Sequence, residues 1–429
     1  MTRYINTFQN FISKEALSGV ILFLAAVLAV VIANSSMSAI YYEVWDSPFG
    51  FTVGDITISM SIMHWINDGL MALFFLMIGL EIKRELIIGE LSSVRKASFP
   101  VVAAIGGMAI PALFYVAFNS SDPRGFGIPM ATDIAFALGI LMLLGTRVNP
   151  ALKLFLVALA VVDDLGAIIV VATVYTEQIH SSYFLHAAIT YALIWALNFK
   201  RVKTLWPYLI LGIALWIFIH SIGVHATIAG VLLAFAIPIS SKTDEKDFIQ
   251  NSKKAIDEFE KHMDDIPILN HHQIDALENI ANGYDRVQNP LVKLEHNLHG
   301  FSAFCIMPLF AFANAGVIIN FSAMNTHLSI VLGVMIGLLV GKPIGIFGLT
   351  YLATKLKWVQ KPNSLSWGEI MAAGFLGGIG FTMSIFITQL AFEDAALIGA
   401  VKLAIFMASF LAAVIGVVLI LIFGRKSKG

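Results

Sequence analysis

The stretch Val157–Val170 reads VALAVVDDLGAIIV, and its only polar side chains are the adjacent aspartates Asp163 and Asp164. An aspartate at the centre of a membrane helix costs about 2.5–3.5 kcal/mol on insertion scales. Acids kept at that depth mostly serve ion or proton pathways. Neighbours on a helix point about 100° apart, so the two carboxylates line adjacent walls of one cavity. The alternative is a purely structural pair, protonated or satisfied by its surroundings.

The rest of the chain supplies the membrane. Of 429 residues, 58% are hydrophobic and 13% charged, and mean hydropathy is +0.83. Apolar runs of bilayer-spanning length, about 20 residues, recur throughout. We read an all-α polytopic membrane protein of about twelve helices. The spans are 16–34, 62–86, 98–118, 126–144, 151–174, 183–199, 204–220, 224–240, 297–318, 328–350, 367–391 and 396–424. They form one membrane domain over 1–429: spans one to eight within 16–240, an insertion at 242–292, and spans nine to twelve within 297–424. The apolar run after Leu17 is too long for a cleaved leader. Before it, Tyr4, Phe8, Phe11 and Ile12 share a helical face suited to a short interfacial helix. A net charge of -1 offers nothing to nucleic acid. The single cysteine, Cys305, implies no disulfide.

The loops give orientation. Arg95, Lys96, Arg147, Lys200, Arg201, Lys203, the lysines of 242–293, Lys355, Lys357 and Lys361 fall in one alternating set. Both ends join it through Arg3, Lys14, Arg425, Lys426 and Lys428, whereas the opposite loops hold little beyond Arg124. Lys and Arg collect on the cytoplasmic side, so both termini are expected inside. The first outer loop, Tyr41–Met60, suggests a short β-hairpin turning at Pro48–Gly50. In the insertion, Ile256, Phe259, Met263, Ile274, Leu277 and Ile280 recur at helical spacing. One or two amphipathic helices or a solvated linker are expected, with Asn282–Gly283 as a stop.

Other charges and breaks cluster at mid-membrane. Thr132 and Asp133 follow Gly127 and Pro129, which weaken a helix. Gly374, Gly377, Gly378 and Gly380 weaken the eleventh span, although close helix packing also explains glycines. Two interrupted spans in the two halves of a chain point to a transporter site at the midplane. Asp133 suits the positive ends of broken helices. Lys342 suits their negative ends, or pairs with a carboxylate. Lys402 is expected to snorkel to the outer interface. His225 is read as structural, Asp68 as a packing or transport residue, and His271 and His272 as solvated.

The segments ATDIAFALG (Ala131–Gly139), VVDDLGAIIV (Val161–Val170), GLEIKREL (Gly79–Leu86), HATIAG (His225–Gly230), MPLFAFANAGV (Met307–Val317), GKPIGI (Gly341–Ile346) and GIGFTMSIFI (Gly378–Ile387) together resemble the NhaA-type bacterial sodium/proton antiporters. The likeness runs through nearly the whole chain in order. It implies twelve helices with an inverted repeat relating spans three to five and ten to twelve. It also implies a homodimer, with the outer hairpin at its interface. The activity implied is exchange of cytoplasmic Na+ or Li+ for external H+ across the bacterial inner membrane, pH-regulated and electrogenic, without enzymatic activity or a cofactor. Lipid is the surrounding partner. By motif, Asp163 and Asp164 are the cation and proton carboxylates, transiently ligating the transported ion. Thr132 and Asp133 belong to the broken helix, and Lys342 is the intramembrane lysine. Glu81, Arg84, Glu85, Glu295 and His296 form the pH-responsive cytoplasmic funnel. The chain departs from compact members in its 242–292 insertion, so their pH set-point does not transfer.

Two other classes share some of these features. Intramembrane aspartyl proteases also need two acids, but on separate helices and within a Gly-x-Gly-Asp motif that the pair here lacks. A cation channel or sodium-coupled symporter would find Lys342 electrostatically awkward, and midplane breaks favour alternating access.

Overall fold

The computed structural model describes residues 2–53, 56–176, 181–240, 244–263 and 268–424. The chain is mostly helical. Among the described residues, six helices are long and apolar enough to cross a membrane, or seven when the bent pair Trp367–Gly377 and Phe381–Ala391 counts as one span. The shorter apolar helices Phe184–Phe199, Trp206–Ile222 and Thr227–Ala236 lie between them in sequence.

The first helix runs unbroken from Thr2 to Ala33. The residues before Leu17 therefore continue the same helix, whose apolar membrane-spanning part is Ala16–Ala33. The side chains of Tyr4, Phe8, Phe11 and Ile12 lie outside the described residues, as do Lys242 and Arg425, Lys426 and Lys428 at the C-terminus. The loop after the first span forms a helix, Ser38–Asp46, and then a hairpin of Pro48–Val53 with Ile56–Ser61. Its register pairs Val53 with Ile56. Pro48 and Gly50 thus lie in the first strand rather than in a turn; residues 54–55 lie outside the described residues. Proline tolerates the first strand position because it owes no ladder hydrogen bond there.

Both halves repeat one order. Val94–Phe118 is followed by the interrupted segment Pro123–Leu143 and then Pro150–Val174. Leu328–Lys355 is followed by the bent pair and then Ala395–Phe423. In the first interruption, a 3-10 turn Pro123–Met130 gives way to extended residues 131–133 before the helix Ile134–Leu143. In the second, two helices meet at 45° across residues 378–380. The glycines there also serve packing: a Cβ on Gly378 would lie 2.5 Å from the Leu338 carbonyl oxygen. Val94–Phe118 and Lys342–Lys355 touch backbone to backbone at Gly106 and Gly345, where any Cβ would strike the opposite carbonyl. Lys342 begins its helix just after a wide π turn, Gly337–Gly341. Pro343 follows it and has no N–H to give the preceding turn, which accounts for the local widening.

The insertion is two helices, Glu245–Lys261 and His271–Val287. Gly283 does not stop the second. It lies inside that helix, 3.2 Å from the Phe248 ring as a Cβ would see it, so its small size admits a neighbour. His272 is exposed but stacked on His262, with ring centroids 4.4 Å apart. Lys402 is buried at 8% exposure and does not snorkel. Its helix packs its Lys402 face inward alongside Val401 and Ile405.

Candidate functional site

Asp163 and Asp164 sit midway along Pro150–Val174, whose start is set by Pro150 and by the Asn149 side chain accepting from Ala151 N at 3.0 Å. Both aspartates are buried. Asp163 Oδ2 accepts from the Thr132 hydroxyl at 2.8 Å and forms an ion pair with Lys342 Nζ. Lys342 Nζ also donates to Thr132 Oγ1 at 2.7 Å. Thr132 has one hydroxyl proton, yet two acceptors flank it: Asp163 Oδ2 and the Gly377 carbonyl at 2.9 Å. Thr132 therefore joins the paired-aspartate helix to the C-terminal end of the Trp367–Gly377 half-helix. Lys342 pairs with a carboxylate rather than with a carbonyl end.

Each aspartate keeps acceptor capacity. Asp163 Oδ1 is buried without a hydrogen-bond partner. Asp164 makes no hydrogen bond or ion pair to any described residue. The charges acting on it are those of Asp163, Glu81, Asp133 and Lys342. Unsatisfied buried acceptors are uncommon and costly in native proteins. Carboxylate oxygens beside a hydroxyl and a helix-end carbonyl are the kind of oxygen donors that hard cations such as Na+ favour.

Asp133 is fully used. Its Oδ1 accepts from Phe136 N at 2.9 Å, capping Ile134–Leu143. Its Oδ2 accepts from Thr382 N at 3.1 Å and from the Thr382 hydroxyl. Its own N–H donates to the Ile379 carbonyl at 2.7 Å. One carboxylate thus faces the N-terminal ends of both half-helices, where partial positive charge collects. Ser384 Oγ donates to the Ile128 carbonyl at 2.7 Å, tying the same two segments again.

Towards the charge-rich end of Met71–Ile87, Arg84 bridges two acids. Its Nε lies 2.9 and 3.0 Å from the Glu295 oxygens, and its Nη1 lies 2.7 Å from Glu85. Glu85 also accepts from Glu90 N at 2.8 Å. Glu81 lies one turn further in and feels the charges of Glu295, Arg84, His299 and Glu85. His296 is exposed and outside this network; His299 is the histidine that bears on Glu81.

Sequence reasoning did not find several partners. Thr382, Ser384 and the Gly377 carbonyl are invisible until the crossing is known. Asn67, Asn314 and Gln389 form a closed ring of amides with links of 3.2, 2.8 and 2.5 Å, joining three separate segments. Lys83 donates to the Phe235 and Ile237 carbonyls at 2.7 and 2.5 Å, closing the end of Thr227–Ala236. Asp68 lies between His64 and His220, at 3.5 and 3.4 Å. His225 is half-buried beside the left-handed Gly223 that ends Trp206–Ile222.

The model of a family described as Na+/H+ antiporter 1 matches residues 9–420. The Na+/H+ antiporter NhaA 1 of Aliarcobacter butzleri is 63% identical over 420 residues, covering 98% of this chain and 97% of the relative. The Na+/H+ antiporter NhaA of Wolinella succinogenes is 49% identical over 426 residues, covering 98% and 94%. The Na+/H+ antiporter NhaA of Helicobacter pylori strain G27 is 47% identical over 428 residues, covering 98% and 96%.

Proposed function

The chain belongs to the Na+/H+ antiporter family, and on that premise we propose that it exports Na+, and Li+, in exchange for external H+ at Asp163 and Asp164. The observation that carries this reading is the pair of buried, adjacent carboxylates with open oxygens, one of them already ion-paired to Lys342. Sodium and protons compete for the same carboxylate oxygens. Asp164, with no hydrogen-bond partner, is the main cation ligand; Asp163 Oδ1 and Thr132 supply further oxygens. When a cation draws on Asp163, Lys342 and Thr132 are the groups that must yield, and they are the groups that restore the empty site. The interacting carboxylates titrate as a unit. An excess of protons taken in over sodium ions released, which the family resemblance implies, moves net charge in each cycle, so the membrane potential drives export.

The matching order of helices in the two halves supports an inverted repeat of spans three to five and ten to twelve within a twelve-span fold. Asp133 and Thr382 hold the crossing together while one bundle moves against the other to alternate access. Glu81, Arg84, Glu85 and Glu295, with His296 beyond them, form an acidic cytoplasmic funnel that concentrates cations and carries the pH response. The protein is a bacterial inner-membrane homodimer with both termini inside.

The test uses everted membrane vesicles holding an acid-interior gradient read by a dye. Na+, Li+ and K+ are added separately over pH 6.5–9 to the wild type and Asp164→Asn. Dissipation by Na+ and Li+, none by K+, and a silent mutant support the reading. A fully active Asp164→Asn overturns the site, and no proton movement with any cation by folded, inserted wild type overturns the exchange.

A further inference from the structure

In the ring of Asn67, Asn314 and Gln389, each amide donates once and accepts once. Asn67 Nδ2 donates to Gln389 Oε1, Gln389 Nε2 to Asn314 Oδ1, and Asn314 Nδ2 to Asn67 Oδ1. Asn314 is fully buried, whereas Asn67 and Gln389 are partly exposed. The three come from different units. Asn67 lies in the π turn Trp65–Leu70 ahead of Met71–Ile87, and Asn314 ends Met307–Asn314. Neither segment belongs to the two matched sets of helices. Gln389 stands in the last turn of Phe381–Ala391, the half-helix that Thr382 joins to Asp133.

A layer of phenyl rings lies beside the amides on the same three segments. The Phe386 ring, one turn before Gln389, is centred 5.6 Å from Phe75 and 6.2 Å from Phe310. Phe310 is one turn before Asn314. All three rings are buried. Phe75 also shares a small gap with Ile168, one turn beyond Asp164. From the paired aspartates toward Asn67, the way is therefore closed by phenyl rings and then by amides. In the other direction lies Glu81, whose charge acts on Asp164, and then Arg84 with Glu295.

The bonds in the ring suit a contact that is made and remade. All three are neutral, and neutral hydrogen bonds are weaker than charge-assisted ones. Water can take up each donor and acceptor when the ring opens. Because the links are cyclic, losing Gln389 frees groups on both other amides. The Asp133 carboxylate, in contrast, grips Thr382 by charge-assisted bonds, so Phe381–Ala391 stays with the crossing when its far end moves. The phenyl layer strands no polar group when it parts.

We propose that Asn67, Asn314 and Gln389 are the latch on this side of the exchange site. The ring is closed while the site faces Glu81 and Arg84, and it opens in each cycle as Phe381–Ala391 carries Gln389 away from Asn67 and Asn314. This rests on the exchange reading given above.

The test uses full-length chains with Cys305→Ser in membrane vesicles and a short bifunctional thiosulfonate that a reductant removes. Bridging Asn314→Cys to Gln389→Cys should stop Na+-driven proton movement, and reduction should restore it. Bridging Asn67→Cys to Asn314→Cys should leave exchange the same before and after, since both lie on the side that Gln389 leaves. A second arm reads opening without transport. Phe310→Cys is labelled by an impermeant thiol reagent applied from the Asn67 side, and adding Gln389→Leu should speed labelling about three- to tenfold. Wild type that moves no protons with Na+ overturns the exchange reading, and the latch with it. With wild type active, four results overturn the latch alone: no bridge between positions 314 and 389, exchange that persists through that bridge, exchange blocked equally by the 67–314 bridge, or labelling unchanged by Gln389→Leu.

Discussion

Asp133 and Thr382 stand 249 residues apart in sequence, yet the Asp133 carboxylate accepts both the Thr382 backbone N–H and its hydroxyl. The same carboxylate caps Ile134–Leu143 through Phe136 N at 2.9 Å. One negative charge therefore serves two helix N-termini inside a low-dielectric core, where unpaired N–H groups have no water to turn to.

Asp133→Ala should consequently act on stability before it acts on transport. It strands Phe136 N and Thr382 N and removes the charge at two positive helix ends. Buried hydrogen bonds to charged groups contribute about 1.5–3 kcal/mol each, so the expected loss is several kcal/mol. Asp133→Asn keeps an oxygen for one N–H and should lose roughly half as much. Melting of the purified protein in detergent reads both. Equal melting of wild type and Asp133→Ala would remove Asp133 from the crossing's support.

Removal of Lys342 leaves Asp163 buried without its ion-pair partner. Breaking a buried pair from one side costs about 3–5 kcal/mol, whereas removing both charges costs far less. Lys342→Met should therefore destabilise more than the double variant Asp163→Asn with Lys342→Met. The double-mutant cycle in thermal stability measures the coupling directly. Additive effects would mean that the two side chains do not depend on one another.

The charges at this site are legible in the sequence because each is an expensive exception in an apolar run. Asp163, Asp164, Asp133 and Lys342 stand out for that reason, and glycines next to them mark the breaks. Thr382, Ser384, Asn314 and Gln389 do not stand out. Hydroxyl and amide side chains are tolerated widely in membrane helices, and their partners exist only once two distant segments cross. Gly283 misleads for a related reason: a glycine after asparagine signals a stop locally, whereas here it makes room for Phe248 across the hairpin. Lys402 misleads because snorkelling depends on which way its helix face turns, and the packing of Ala395–Phe423 turns it inward.

Tyr41 gives the fold an alkaline limit outside the spans. It is 5% exposed, and its hydroxyl donates to the Phe312 carbonyl at 2.5 Å. Burial pushes its phenol up to about 12 from the ordinary 10.0. The neutral phenol is the form the fold prefers. Its stability contribution is whole below pH 10 and drains as pH rises from 10 towards 12, to a loss of about 2–3 kcal/mol. Tyr41→Phe removes the ionisable group and should flatten that limb of a melting-versus-pH curve, while lowering stability at neutral pH by the lost hydrogen bond, about 1 kcal/mol. Parallel curves for the two proteins above pH 10 would exclude Tyr41 as the source.

The funnel makes a sharper contrast, between two histidines three residues apart. His296 is exposed and touches none of the acids, whereas His299 bears electrostatically on Glu81. Glu81 in turn bears on Asp164, so a charge at His299 reaches the paired aspartates through one intermediary. His299→Gln should shift the pH at which Na+ dissipates the vesicle gradient, and His296→Gln should leave that profile where it is. Arg84→Gln should shift it too, because Arg84 holds Glu85 and Glu295 together. A profile moved by His296→Gln and untouched by His299→Gln would put the pH response on the solvent-facing side of Pro290–Phe301, away from Glu81.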